Sequence, residues 1–533
     1  MEVLYWADSI SHRCNQRPQC KALGSFSLMQ IQSTHNLILL RDVSFELRPG
    51  VWLFKNLNVG FGKEKTGLVG KNGTGKTTII KLITELAKPN SGIVENSARI
   101  VYLPQDYQID LSCSVLETLN TPAEHEALAT LAKVGLQYIQ LDRIMGSLSG
   151  GERTRVVLAS LLVQEADFMI LDEPTNNLDT EARQAVYNLI ERWKGGLLVV
   201  SHDRVLLNLM DRTLELSEKG LKEYGGNYDF YTEQKELEEE ALQRQLSDME
   251  KEFRKVKKQA QATKERQQKR SSRGKKVAPD LGLPKSILNE MRKSAQQTSG
   301  KLKKIHESKI GEASENFKAA KERISPNNRI EVDLSRTDIP AGKLVTEFEE
   351  VSFGYGEQVI FKGFNLTVHG PDRLVINGPN GSGKTTLVKL MLGELQPSAG
   401  EITLGINCFA YLDQSVVVLD KNKTVLENLE EMSGLDEKAA RNWLALFLFP
   451  ADDVFKKVEV LSGGERMRAA LACILAGNTP PQLLVLDEPT NNLDLNSIEQ
   501  IESALLNYKG ALIVISHDKT FLQNIAITRE MNL

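Results

Sequence analysis

The chain has 533 residues, 41% of them apolar, which is enough for two domains of ordinary size plus a connecting piece. No run approaches the roughly 18 to 20 uninterrupted apolar residues of a membrane helix, Asp8, His12 and Arg13 interrupt any secretory core, and Cys14, Cys20, Cys113, Cys408 and Cys473 form no close pair; the cytoplasm is therefore expected, with reduced thiols and no disulfide framework, zinc site or iron-sulfur site. The formal charge of -4 is unevenly divided, because residues 251 to 309 carry 19 Lys or Arg against five acidic residues, a local +14 that leaves -18 elsewhere and points to a polyanion met at one place.

Residues 1 to 30 have no periodic pattern and are expected to be a disordered extension, or untranslated if Met29 is the start. A first domain, 31 to 228, opens with apolar runs at Leu37 to Leu40, Val43 to Leu47 and Thr66 to Val69. The last run enters Gly70-Lys71-Asn72-Gly73-Thr74-Gly75-Lys76-Thr77, and Thr78 continues into an apolar helical pattern, so the segment reads as strand, loop, helix. Phe168 to Leu171 and Leu197 to Val200 read as further buried strands.

From 229 to 325 glycine nearly vanishes. Leu242, Leu246, Met249, Phe253, Val256 and Ala260 step by four and three, a heptad seam. A second seam runs through Leu288, Met291, Ala295, Thr298, Leu302 and Ile305, then shifts phase to Ile310, Ala313, Phe317, Ala320 and Ile324. Two facing seams predict a helical hairpin, with a first arm over 233 to 270 and a turn over 271 to 285, where Gly274, Pro279, Gly282 and Pro284 break a helix. A plain tether would be richer in Gly and Ser. Val277, Leu281 and Leu283 supply apolar side chains to the tip, which either pack on the hairpin or touch a partner.

The second domain, 326 to 533, repeats the first. Leu374 to Asn377 leads into Gly378-Pro379-Asn380-Gly381-Ser382-Gly383-Lys384-Thr385, followed by Thr386, and Leu483 to Leu486 and Leu512 to Ile515 match the later strands. Leu148-Ser149-Gly150-Gly151-Glu152 recurs as Leu461-Ser462-Gly463-Gly464-Glu465, and Leu171 through Asp179 recurs unchanged as Leu486 through Asp494. A spacing of about 310 residues between copies means duplication of a whole domain. Both domains are predicted to be α/β with a largely parallel core.

Glycine loops of this kind let backbone N-H groups and a helix N-terminus converge on phosphates. Lys76 and Lys384 are placed to reach the β and γ phosphates, and the Thr77 and Thr385 hydroxyls to ligate Mg²⁺. Asp172 and Asp487, ending buried strands, suit the Mg²⁺ shell; Glu173 and Glu488 suit polarisation of the attacking water. His202 and His517, each within Ser-His-Asp, are candidates for the γ-phosphate; adjacent residues on an extended strand face opposite ways and cannot form a hydrolase relay. Two sites that bind and split ATP are expected.

The order phosphate loop, glutamine, Leu-Ser-Gly-Gly-Glu, Asp-Glu, His resembles the ATP-binding cassette ATPases over about 36 to 228 and 343 to 527. The resemblance implies composite sites, Lys76 with Ser462, Gly463 and Gly464, and Lys384 with Ser149, Gly150 and Gly151, and it assigns Gln105 and Gln414 to the metal. Two cassettes in one chain, Glu-Pro-Thr-Asn-Asn-Leu-Asp in both, a charged hairpin between them and Tyr224-Gly225-Gly226-Asn227-Tyr228 before it resemble the ABC-F subfamily. That subfamily acts on the ribosome, where its hairpin enters the tRNA exit region and its loop nears the peptidyl-transferase centre. Only 78 residues separate Gly70 from Leu148, too few for the extra arm of some members, and no C-terminal coiled tail is expected. The adenine-stacking aromatic of the family corresponds to Tyr355 in the second cassette; the first has Leu47 there, leaving Phe45 or Trp52 to replace it.

Three functions remain to be weighed. A translation ATPase, either a general factor or a protector against antibiotics, would use the basic hairpin on ribosomal RNA and tRNA. A DNA-maintenance ATPase would grip duplex DNA with it. A transporter's ATPase subunit has no use for the hairpin, and no membrane subunit is expected; the chain is read as a monomer whose cassettes pair within it.

Overall fold

The computed structural model describes residues 37–107, 109–121, 123–176, 178–277, 285–323, 330, 332–413, 416–477 and 479–533. The expectations for residues 1 to 30, the segment 278 to 284, Ile324 and Gln414 lie outside them, as do those for the side chains of Val277, Leu288, Met291, Ala295, Thr298 and Leu302. Two units are present, one holding both cassettes and the other, Tyr231–Asn327, holding most of a helix pair.

In the first cassette β1 (Ile38–Arg48) and β2 (Val51–Phe61) precede β3 (Lys65–Val69), the phosphate loop and α1 (Lys76–Ile83). Then come β4 (Ser91–Asn96), β5 (Ile100–Leu103), α2 (Val115–Leu119), α3 (Glu124–Lys133), α4 (Gly150–Val163), β6 (Phe168–Asp172), α5 (Thr180–Arg192), β7 (Gly196–Val200), α6 (Arg204–Leu207), β8 (Arg212–Ser217) and β9 (Gly220–Gly225). The main sheet, ordered β5-β6-β7-β3-β8-β9, is parallel except for β9. A second, antiparallel sheet, β2-β1-β4, was not foreseen. The two apolar runs expected at Leu37 and Val43 are one strand, bent at Asp42, whose φ of 50° shifts the register and breaks the alternation that marks a strand.

Buried on both faces, the main strands read as continuous apolar runs. Met169 and Leu171 pack toward the α4 and α5 side, Phe168 and Ile170 toward α1. The same period of two turns Asp172, the next residue in that series, to the α1 face, beside Thr77.

The helix pair consists of α7 (Tyr228–Val277) and α8 (Lys285–Arg323). The first arm is longer than expected: its 50 residues continue past Arg270 and through Gly274, a cost of about 1 kcal/mol that a long helix tolerates. At about 1.5 Å per residue it is about 75 Å long. Its seam is as read, with Leu242, Leu246, Met249, Phe253, Val256 and Ala260 half-buried. The rings of Phe253 and Phe317 stack at 6.0 Å, so the arms touch along their seams. Ile305 is a correction. It points outward, 51% exposed, and His306 takes the inward seat. From His306 the steps to Ile310, Ala313, Phe317 and Ala320 are four, three, four and three, so the phase shift falls at His306, four residues after Leu302 and four before Ile310. Lys255, Lys257, Lys258, Lys264 and Lys269 are exposed.

The second cassette repeats the plan with β10 (Leu344–Tyr355), β11 (Gln358–His369), β12 (Arg373–Asn377), α9 (Lys384–Met391), β13 (Ala399–Leu404), β14 (Phe409–Leu412), α10 (Val425–Ser433), α11 (Glu437–Leu446), α12 (Gly463–Leu475), β15 (Leu483–Asp487), α13 (Leu495–Asn507), β16 (Ala511–Ile515), α14 (Lys519–Asn524) and β17 (Arg529–Asn532). Its main sheet, β14-β15-β16-β12-β17, is wholly parallel, and β11-β10-β13 forms its antiparallel sheet.

Candidate functional site

Each phosphate loop turns into its helix at a glycine in left-handed backbone, Gly75 with φ 105° and Gly383 with φ 101°. A side chain there would also strike Leu53 or Ile360 at 2.6 Å. Gly70, Gly73, Gly378 and Gly381 lie in the same loops, with Asn72 and Asn380 between them. Lys76 Nζ donates to the Gly70 carbonyl at 2.6 Å and the Lys71 carbonyl at 3.1 Å; Lys384 does the same with Gly378 and Pro379. Burial lowers both ammonium pKa values, against the pull of nearby carboxylates.

Thr77 Oγ1 donates to Asp172 at 3.1 Å, and Thr385 Oγ1 to Asp487 at 3.3 Å. Tyr411 also donates to Asp487, at 3.2 Å, a partner the sequence reading missed. A hydroxyl beside a carboxylate, short of a full protein cage, suits Mg²⁺ shared with phosphate oxygens. Thr78 and Thr386 sit half-buried one residue further on, and Gln105 is exposed just beyond β5.

The acids after the two strands are held in left-handed backbone, Glu173 at φ 51° and Glu488 at φ 48°, a cost of roughly 1–3 kcal/mol each that recurs at working sites. Their N-H groups close the turn by donating to Val200 and Ile515 at the ends of the neighbouring strands, both at 2.8 Å. Each carboxylate then meets a histidine: Glu173 Oε1 lies 3.2 Å from His202 Nε2, and Glu488 Oε1 3.5 Å from His517 Nε2. Burial pushes Glu173 up to about 8 and Glu488 up to about 7, while it pushes His202 down to about 3 and His517 down to about 4. No relay forms around His202. Asp203 caps α6 through Val205 and Leu206 and accepts from Tyr187, and Ser201 accepts from the Asp203 N-H.

The two cassettes meet at these loops. Asn72 N-H donates to Asp494 Oδ2 at 2.9 Å, and its side chain to the Asn492 carbonyl at 3.3 Å. Asp494 caps α13 through its other oxygen, and a Cβ on Gly463 would lie 3.5 Å from the Asn492 carbonyl oxygen, so the first phosphate loop faces the start of α12. Across the other half of the interface Thr180 Oγ1 lies 3.2 Å from His517 Nδ1, and Asp179 acts on Lys384. Ser149 and Ser462 cap α4 and α12 in reciprocal pairs with Glu152 and Glu465, which leaves the first-turn N-H groups at Gly150, Gly151, Gly463 and Gly464 free of side-chain cover.

One tie has no counterpart among the described residues. Arg204, on α6, forms a two-pronged pair with Glu502, on α13 of the other cassette, at 2.7 and 3.3 Å, both side chains buried. Burial pushes the Glu502 carboxyl up, and Arg204 and Asn524 partly offset this. Arg204 also bonds to Tyr228, the first residue of α7. The position matching Glu502 in the first cassette is Tyr187, which bonds within its own cassette to Asp203. Neither these residues nor Thr180 stood out in the sequence; the Asp179 and Asp494 contacts were signalled by the repeated motif they end.

Of the aromatic candidates, Tyr355 is half-exposed, edge-on to Phe353 at 5.1 Å. Phe45 packs inward on Phe54, whereas Trp52 stays 41% exposed with Lys55 over its ring at 4.8 Å. Among the described residues no helix is long and apolar enough to cross a membrane, and Cys113, Cys408 and Cys473 are free.

A family model described as ABC transporter matches residues 54–176 and 361–491. The ATP-binding protein Uup of Haemophilus influenzae is 31% identical over 518 residues, covering 86% of this chain and 73% of its own. ABC transporter F family member 5 of Arabidopsis thaliana is 29% identical, with 93% and 72% covered. The ribosome protection protein VmlR of Bacillus subtilis is 29% identical, with 91% and 85% covered. Among solved structures an archaeal ribosome recycling factor, in complex with a ribosomal stalk protein, shares the fold at a TM-score of 0.58 and 22% identity, over 92% of this chain and 87% of its own.

Proposed function

This chain belongs to the ABC-F family of tandem ATP-binding cassette ATPases, and on that premise we propose that it acts on the ribosome, engaging it with ATP bound and letting go after hydrolysis. ATP binding and hydrolysis follow from the cassette family. The observation that carries the composite-site reading is the bond from Asn72 to Asp494 beside α12. Lys76 and Lys384 hold the phosphates, and Ser462 to Gly464 and Ser149 to Gly151 close over them from the opposite cassette. Glu173 and Glu488 orient the attacking water and take its proton, while His202 and His517 hydrogen-bond the γ-phosphate. Mg²⁺, held by Thr77, Asp172 and Gln105 or by Thr385, Asp487 and Gln414, would neutralise charge growing on the phosphate oxygens. Trp52 and Tyr355 offer faces for adenine.

The exposed lysines of the helix pair suit RNA phosphate, since neutralising phosphates releases counterions and gives affinity without sequence reading. Monomeric action in the cytoplasm fits pairing of the cassettes within one chain. The test is pelleting of the Glu173→Gln, Glu488→Gln protein with ribosomes across a salt series, beside gel shift on branched DNA. ATP-dependent pelleting that weakens when Lys257, Lys258 and Lys269 are reversed to Glu supports the reading. Binding to branched DNA alone would replace it with DNA maintenance.

A further inference from the structure

The two γ-phosphate histidines are not held alike. His202 has its Nδ1 buried without a hydrogen-bond partner. His517 has its Nδ1 3.2 Å from the hydroxyl of Thr180, a residue of the opposite cassette. The corresponding residue after Asp494 is Leu495, which carries no hydroxyl. Thr180, His517, Gly378 and Pro379 line one cavity of about 650 Å³, so this contact opens onto the second phosphate loop.

A hydroxyl that donates to Nδ1 leaves the imidazole proton on Nε2, the nitrogen turned toward Glu488. It also fixes the ring plane, as an outer partner does for a histidine that ligates metal. We propose that Thr180 is a positioning residue for the Lys384 site, holding His517 in the Nε2-H form from across the interface, so that this site completes its γ-phosphate contact only when the first cassette is docked. Among the described residues the Lys76 site has no such partner on His202 Nδ1, and Glu173 and the charge of Asp494 are what act on that ring. The two sites are thereby made unequal by one side chain although their motifs are complete in both. This inference rests on the proposed role of His517 in hydrolysis.

The test uses the full chain with one site silenced at a time. In Glu173→Gln protein, where only the Lys384 site turns over, Thr180→Val should lower kcat roughly five- to tenfold, the worth of about one hydrogen bond. The KM for ATP should stay within about twofold, and Thr180→Ser should restore the rate. In Glu488→Gln protein, where only the Lys76 site turns over, Thr180→Val should change nothing. Added to His517→Ala, Thr180→Val should have no further effect, which a merely structural role would not predict. Equal loss in both backgrounds, or an added loss without His517, overturns the proposal. Absence of ATP turnover in the unsubstituted protein would instead overturn the ATPase reading.

Discussion

The Lys76 and Lys384 sites carry the same motif residues, yet they are finished differently by the cassette opposite. At the first, a backbone N-H of the phosphate loop is taken by Asp494, while among the described residues His202 gains from across the interface only the pull of that charge. At the second, the cross-interface hydrogen bond goes to the histidine itself. A duplicated domain thus keeps its chemistry in the motifs and acquires its asymmetry at positions beside them. The tie between Arg204 and Glu502 makes the same point, because the duplicate of Glu502 is Tyr187.

Glu173 and Glu488 carry the chemistry that both sites share. Glu173→Gln with Glu488→Gln should retain ATP binding and lose at least about a hundredfold in steady-state hydrolysis, because the water then lacks its base. Next in size is the unmatched tie: Arg204→Ala strands a buried carboxylate and should cost about 3–5 kcal/mol of stability by denaturant titration. Removing the pair together, as Arg204→Met with Glu502→Leu, should recover most of that loss. A smaller asymmetry lies at Gly151 and its repeat, Gly464. A Cβ on Gly464 would meet Ser497 Oγ at 2.1 Å, whereas one on Gly151 finds Ala182 at 3.4 Å. Gly464→Ala should therefore lose about 1–3 kcal/mol and Gly151→Ala much less, a difference thermal melts can read. The smallest expected effect sharpens the histidine contrast: Leu495→Thr should raise kcat at the Lys76 site, measured in Glu488→Gln protein, by about two- to fivefold.

Phosphate loops, buried strands and the seam of the first hairpin arm were legible because each depends on residues near one another in sequence or on an exact repeat. Where reading failed, a local signal was masked or missing. The bulge at Asp42 hid a long antiparallel strand, helix continuity overrode Gly274, and His306 took an inward seat that apolar counting gave to Ile305. The burial that separates Phe45 from the exposed Trp52 left no mark in the sequence. Thr180 with His517 and Arg204 with Glu502 lie 337 and 298 residues apart, and no spacing rule within one cassette brings such pairs together.

That each site is completed by the other cassette is tested most directly by Asp494→Asn. Asparagine keeps the cap on α13 but can turn an NH₂ toward the Asn72 N-H in place of an acceptor. Single-turnover ATP hydrolysis should fall about tenfold in Glu488→Gln protein, where Lys76 holds the working nucleotide, and stay unchanged in Glu173→Gln protein. Loss confined to the Lys384 site would contradict the head-to-tail arrangement on which the whole account stands.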